Sequence, residues 1–83
     1  MPNVVVYTLA ACPFCVRAKR LLDSKGVGYR EVDVSRDYAE RSRVSESTGH
    51  PTFPQIFIDD AFVGGCDELH ALDRSGRLDS MLA

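Results

Sequence analysis

The sequence of 83 residues contains no tryptophan, only three cysteines and no long apolar run. Crossing a bilayer takes about 18 to 20 consecutive apolar residues, whereas the N-terminal MPNVVVYTLAA turns polar after a few apolar positions and has no positively charged segment. We therefore expect neither a membrane span nor a signal peptide, and we predict a cytoplasmic protein. The odd number of cysteines also argues against a secreted disulfide scaffold, which would carry an even set.

Excess charge is also missing, since the net charge is -2. This balance gives no support for nucleic-acid binding. Apolar residues make up 45% and charged residues 27%, a composition that is typical of a globular domain and not of a disordered chain. A chain of this length has room for one core only, so we predict a single domain over residues 1–83, acting as a monomer.

The first half of the chain predicts a βαβ unit. Asn3–Thr8 is a run of β-branched and aromatic residues without polar alternation, which indicates a central strand buried on both faces. Pro13–Ser24 has apolar residues at helical spacing, with Pro13 suited to the first turn and Gly26 suited to the end. Tyr29–Val34 then alternates like a second strand.

The next segment predicts a second helix with a thin apolar face. Ser35 is a candidate N-cap, Asp37 falls in the first turn, and the pattern runs to about Thr48 before Gly49 and Pro51 stop it. Few apolar residues lie on this segment, so little of it can pack against a core.

The last third predicts a hairpin and a helix. Two apolar runs flank Asp59 and Asp60, which can close a tight turn, and acidic residues then suit the first turn of a helix. The predicted ranges are Pro54–Ile58 and Ala61–Val63 for the strands and Asp67 to Gly76 for the helix, with a short final turn at Leu78–Leu82. The order βαβ-α-ββα predicts an α/β protein with a four-stranded mixed sheet and about three main helices, the thioredoxin fold.

Two thiols open the first helix in the stretch ACPFCVRAKRLL. Cys12 would lie against unpaired backbone N–H groups and the positive end of the helix dipole, which favours the reactive thiolate. Cys15 lies one turn further along, on the apolar face. We therefore predict that Cys12 attacks a substrate sulfur and that Cys15 resolves the product.

Other interpretations of the cysteines are weaker. A zinc site needs four ligands, and the chain has neither a second Cys-x-x-Cys pair nor a closely spaced histidine pair, so we expect no metal. A purely structural disulfide between Cys12 and Cys15 would constrain little of the unfolded chain. Cys66 is interpreted as a small buried residue, and His50 and His70 as surface residues.

Three segments together resemble the glutaredoxin family: CPFC at residues 12–15, TFPQIFID at 52–59 and GGCDEL at 64–69. The resemblance covers essentially the whole chain in order and length. The second cysteine indicates the dithiol class, and the sequence is most similar to the short bacterial glutaredoxins.

The resemblance implies glutathione as the reducing co-substrate. Cys12 would accept the glutathionyl group, Cys15 would close a disulfide with it, and Pro54 would follow a cis peptide bond. The backbone of Phe53 would meet the cysteine of glutathione as a neighbouring strand would, and the start of the last helix would receive the γ-glutamyl end. The implied glutathione-binding residues are Phe14, Thr52, Phe53, Pro54, Gly65, Cys66 and Asp67.

Two positions depart from the family pattern. Leu9 stands where many glutaredoxins have a lysine that holds the glycyl carboxylate of glutathione, and Phe53 stands where valine is usual. We therefore expect weaker binding at the glycyl end.

The resemblance predicts a thiol–disulfide oxidoreductase that reduces glutathionyl mixed disulfides and protein disulfides, with glutathione and such proteins as partners. Two alternatives remain open at this point. The first is an electron donor reduced by a thioredoxin-reductase-type flavoprotein, and the second is a carrier of an iron–sulfur cluster ligated by glutathione.

Overall fold

Residues 2–83, which the computed structural model describes, form four strands and four helices. The strands are β1 (Val4–Thr8), β2 (Arg30–Asp33), β3 (Gln55–Ile58) and β4 (Ala61–Gly64), and the helices are α1 (Pro13–Ser24), α2 (Tyr38–Thr48), α3 (Cys66–Arg74) and α4 (Arg77–Leu82). The sheet order is β2-β1-β3-β4, with β1 parallel to β2 and the other neighbours antiparallel. This confirms the predicted mixed sheet and adds α4 as a helix of its own. None of these helices is long and apolar enough to cross a membrane.

The main core lies between one face of the sheet and the helices α1, α3 and α4. The inward side chains of β1 and β3 contact leucines from all three helices. Leu22, Leu69 and Leu78 are each 0% exposed, and burial of a leucine side chain contributes about 1.5–3 kcal/mol. The sheet residues of this core are Val4, Val6, Ile56 and Ile58.

The opposite face of the sheet is covered more thinly, by α2. Val44 is the one buried side chain of this helix, which lies wholly within the described residues, and Tyr38 is 82% exposed. Val5 and Tyr7 of β1 are consequently half-buried. The central position of β1 is confirmed, but the prediction that it is buried on both faces is wrong, because α2 brings too little apolar surface to cover the second face.

The start of α2 differs from the sequence prediction. Its N-cap is Asp37, whose Oδ1 accepts a hydrogen bond of 3.1 Å from the backbone N–H of Glu40. Ser35 instead belongs to the preceding turn, where its N–H and hydroxyl both donate to Oδ1 of Asp33. The helix ends at Gly49 in the left-handed conformation, with φ at 73°, as predicted.

The predicted hairpin between β3 and β4 is confirmed. Asp59 and Asp60 have φ angles of 50° and 66°, the conformation that two-residue turns between twisted strands require. Aspartate tolerates positive φ better than most residues because its short side chain can hydrogen-bond locally. Pro54 lies just before β3 and not within it, since proline has no N–H to donate to a neighbouring strand.

We predict that Asp37→Ala lowers the free energy of unfolding by about 0.5–2 kcal/mol, the usual cost of losing an N-cap. Ser35→Ala is the matched control and should cost less, since the hydroxyl of Ser35 satisfies no N–H group of α2. Urea unfolding followed by circular dichroism measures both. A larger loss in Ser35→Ala would contradict the capping geometry described here.

Candidate active site

Cys12 caps the N-terminus of α1, and Pro13 is the first helical residue. The Sγ of Cys12 accepts a hydrogen bond of 3.1 Å from the backbone N–H of Cys15. The first turn of a helix has unpaired N–H groups and the positive end of the helix dipole, so negative charge is favoured at this sulfur. Cys12 therefore lies at the helix start where the sequence predicts it.

Cys12 and Cys15 are joined in a disulfide, with their Cα atoms 5.2 Å apart. Cys15 is only 2% exposed, whereas Cys12 is half-buried and reaches the surface. A sulfur must be accessible to meet a substrate. The geometry therefore suits Cys12 for attack and Cys15 for closing a disulfide from inside the protein.

The loop between α2 and β3 is held by the buried side chain of Gln55. Its Nε2 donates to the backbone carbonyl of His50 at 2.6 Å and to that of Thr52 at 3.2 Å. Its Oε1 accepts from the hydroxyl of Thr48, the last residue of α2, at 2.8 Å. The amide thereby joins the end of α2 to the loop that leads to the active site.

This loop brings a backbone carbonyl beside the cysteine pair. The peptide bond between Phe53 and Pro54 is cis, as the resemblance implied. The carbonyl oxygen of Phe53 lies 3.8 Å from the Sγ of Cys12. An extended peptide arriving at the sulfur would meet the backbone of Phe53 here.

The start of α3 forms the wall of the site that lies across from this loop. Glu68 bends back so that its Oε1 accepts from the backbone N–H of Gly65 at 2.7 Å, which is half of a capping box. The N–H groups of Cys66 and Asp67 belong to the first turn and have no partner within the helix. Gly64 has φ at 123°, and a Cβ at this position would lie 2.5 Å from the Cβ of Glu68, so only glycine fits.

A cleft of about 220 Å³ lies between these elements. It is lined by Phe14, His50, Thr52, Phe53, Pro54, Gly65, Cys66, Asp67 and Glu68. The structure thus brings together all seven residues that the resemblance implied for glutathione and adds two that were not predicted. Glu68 could have been recognised from its position three residues after the cap. No local pattern points to His50.

His50 lies at the cleft wall and not on open surface. Its Nε2 is 3.2 Å from the hydroxyl oxygen of Thr52, and its ring packs edge-on against Phe62 with 5.6 Å between centroids. His50 is therefore a hydrogen-bonded residue that is only partly exposed. The reason is tertiary, because the buried amide of Gln55 draws the carbonyl of His50 inward.

Cys66 differs from Cys12 although both lie at helix starts. Cys66 is 4% exposed, and burial raises the pKa of its thiol. Arg17 opposes this shift, while Asp67 and Glu68 add to it. Burial is the largest of these causes. Within residues 2–83, no three His, Cys, Asp or Glu side chains are grouped so as to hold a metal ion.

Two guanidinium groups stand over aromatic rings that line the cleft. Arg17 lies over the ring of Phe14, 5.8 Å from its centroid, and Arg41 lies over the ring of Phe53, 5.9 Å from its centroid. Such contacts hold a flexible cation in place. Leu9 packs with the smaller core on the α2 side of the sheet. Its side chain is apolar and supplies no charge to the cleft.

Comparison with known proteins gives a consistent match. The family model described as glutaredoxin matches residues 4–63. A glutaredoxin of Pseudomonas aeruginosa is 48% identical over 83 residues, which cover 100% of this chain and 99% of the relative. This chain belongs to the glutaredoxin family. Glutaredoxin 3 of Escherichia coli K12 is 49% identical over 82 residues, and this match covers 99% of this chain and 99% of the relative.

Solved glutaredoxin structures agree with this fold. The crystal structure of a buckwheat glutaredoxin–glutathione complex has a TM-score of 0.92 and 31% identity, covering 98% of this chain and 76% of that one. The solution structure of glutaredoxin from Brucella melitensis has a TM-score of 0.88 and 49% identity, covering 96% of this chain and 87% of that one. As a glutaredoxin with a Cys-x-x-Cys pair, the protein is a thiol–disulfide oxidoreductase, and this prediction is confirmed.

We predict that Gly65→Ala impairs the cleft while Gly28→Ala does not. A Cβ on Gly65 would lie 3.2 Å from the carbonyl oxygen of Pro54 and 3.3 Å from both Oε1 of Glu68 and Nε2 of His50, whereas a Cβ on Gly28 meets nothing within 4 Å. Displacement of the cleft walls by a few tenths of an ångström should lower kcat/KM for a small glutathionyl mixed disulfide by about tenfold.

Urea unfolding of both glycine variants separates a damaged cleft from a damaged fold. The prediction fails if Gly65→Ala, still folded, retains the activity of Gly28→Ala.

Proposed function

We propose that this glutaredoxin removes glutathionyl groups from mixed disulfides and uses glutathione as its reductant. The Cys12 thiolate attacks the glutathione sulfur, the substrate disulfide breaks, and the substrate leaves as a thiolate that takes up a proton. A second glutathione thiolate then attacks the glutathionyl sulfur on Cys12. Oxidised glutathione leaves and the Cys12 thiolate is restored, so the electrons balance.

The observation that carries this proposal is the cleft, which lies between Phe14, the loop around Phe53 and the start of α3. The backbone of Phe53, whose carbonyl is 3.8 Å from Cys12 Sγ, suits the peptide part of glutathione. The free N–H groups of Cys66 and Asp67 suit a γ-glutamyl carboxylate, and the Asp67 carboxylate suits the adjacent ammonium group. The similar buckwheat structure, a glutaredoxin–glutathione complex, supports the same ligand.

We assign the glycyl end of glutathione to Arg41. Leu9 lacks the cation that many glutaredoxins have at its position, and α2 packs on the sheet face opposite to α1 and α3. Arg41 is exposed on α2 and stands over Phe53, the residue beside the nucleophile. Its guanidinium can bind a carboxylate through two parallel N–H groups.

For protein disulfides, we propose that Cys15 completes the reaction. Attack by Cys12 forms a mixed disulfide with one substrate sulfur, and Cys15 then displaces the substrate and closes the Cys12–Cys15 disulfide. Two glutathione molecules reduce that disulfide. Low exposure of Cys15 protects it from outside sulfurs but leaves it within reach of Cys12.

We propose further that residues 1–83 act as one monomeric domain in the cytoplasm, on glutathionylated or disulfide-containing proteins. Support for one domain comes from the continuous packing of α1, α3 and α4 against a single sheet.

Cys12→Ser should abolish both reactions, because no nucleophile remains at the cleft. Cys15→Ser should keep reduction of a small glutathionyl mixed disulfide and lose reduction of protein disulfides. NADPH oxidation coupled through glutathione reductase measures the first reaction, and insulin reduction by glutathione measures the second. Loss of both reactions in folded Cys15→Ser would refute this division of roles. Activity with a thioredoxin-reductase-type flavoprotein but not with glutathione would instead favour the alternative electron donor.

The assignment of Arg41 predicts a rescue. Arg41→Gln should raise KM for the small glutathionyl mixed disulfide by about threefold to tenfold, as expected for the loss of one charge-assisted contact. Adding Leu9→Lys to Arg41→Gln should recover most of the loss by supplying a cation at position 9. Arg36→Gln, an exposed arginine outside the cleft, serves as the charge-matched control. If Arg41→Gln behaves like this control, the assignment is wrong.

A further inference from the structure

The outer face of α1 exposes apolar side chains next to the nucleophile. Phe14 is 52% exposed and Val16 is 41% exposed. Among residues 2–83, the other large apolar side chain with such exposure is Tyr38, which lies on α2. Exposed apolar groups beside a reacting sulfur indicate a surface that meets a partner.

The same helix carries three basic residues, and its one acidic residue, Asp23, lies near its C-terminal end. From its start to Leu22, α1 contains Arg17, Lys19 and Arg20 and no acidic residue. Lys19 is occupied by Glu31 at 3.1 Å. Within the described part of the chain, no carboxylate lies within 4.0 Å of the guanidinium groups of Arg17 or Arg20, both of which are exposed.

The charge at the cleft is therefore polarised. Asp67 and Glu68 are exposed at the start of α3 on one side, and the two free arginines of α1 lie on the other. The whole chain has a net charge of -2, so the sign on α1 is opposite to that of the protein. An acidic segment would be attracted to α1 and repelled from α3, which sets its orientation as well as its affinity.

We propose that Phe14, Val16, Arg17 and Arg20 form a docking surface, the α1 ridge, for protein substrates whose reacting cysteine is flanked by acidic residues. Apolar contact with Phe14 and Val16 holds the segment near Cys12, and the arginines select its charge. This inference rests on the proposed deglutathionylation, in which Cys12 takes the glutathionyl sulfur and the substrate cysteine leaves as thiolate. The arginines of the ridge act on the leaving protein, whereas Phe14 also lines the cleft proposed for glutathione.

The test uses three glutathionylated peptides that differ only at the residues flanking the cysteine, which are Glu, Gln or Lys on both sides. The quantity measured is kcat/KM for each peptide divided by kcat/KM for a small glutathionyl mixed disulfide, so that changes at the nucleophile cancel. We expect the Glu peptide to exceed the Gln peptide by about threefold to tenfold at low salt and the Lys peptide to fall below both. The preference should shrink as ionic strength rises.

Arg17→Gln with Arg20→Gln should remove this preference. Arg74→Gln with Arg77→Gln is the matched control, since it makes the same change in net charge from exposed arginines at the far end of α3 and on α4. Equal ratios for the three peptides in the wild type, or equal loss of preference in both double variants, would overturn the α1 ridge. No turnover of the small mixed disulfide by folded wild-type protein would instead refute the proposed function itself.

Discussion

The active site depends on one buried amide. Gln55 is 0% exposed, yet both polar atoms of its side chain are hydrogen-bonded, to the end of α2 and to the carbonyl groups of His50 and Thr52. No buried side-chain nitrogen or oxygen in residues 2–83 lacks a partner. An unpaired buried polar group costs about 1–3 kcal/mol, so the loop before β3 is held in the one arrangement that satisfies Gln55. That arrangement is what brings the carbonyl of Phe53 to Cys12.

Two helix starts face each other across the cleft, and their surroundings give their sulfurs different chemistry. Cys12 is a cap residue, half-buried, and receives the N–H of Cys15. Cys66 is fully buried, and burial together with two adjacent acids raises the pKa of its thiol. A helix dipole favours thiolate at both positions, but desolvation outweighs it at Cys66. The N–H groups at α3 are thereby left for a ligand's carboxylate, while the sulfur at α1 carries the reactivity.

Local sequence signals correctly predicted those helices and turns that are determined by residues close together in the sequence. Pro13 and a strong apolar stripe define α1, and two aspartates define the hairpin turn, so both agree with the structure. Local preference could not separate Ser35 from Asp37 as the cap of α2, because both residue types favour that position. The cleft position of His50 and the placement of Arg41 over Phe53 were beyond such signals, since Gln55 and Phe53 set them through contacts between distant segments. Resemblance to a family located seven of the nine lining residues, because these residues belong to the family's sequence motifs, but it did not indicate Glu68.

Under the proposed assignment of the glycyl carboxylate to Arg41, α2 supplies the charge that the resemblance places at position 9. A glycyl carboxylate needs a cation close to it. A residue at any backbone position can supply that cation if its side chain is long enough to reach the carboxylate. An arginine side chain is long enough to span from α2 to the loop, but its freedom would oppose binding. The ring of Phe53, larger than the usual valine, gives the guanidinium of Arg41 a surface to rest on and so reduces that entropic cost. We therefore interpret Leu9 and Phe53 as one linked change, in which an aromatic platform on the loop allows the cation to come from α2.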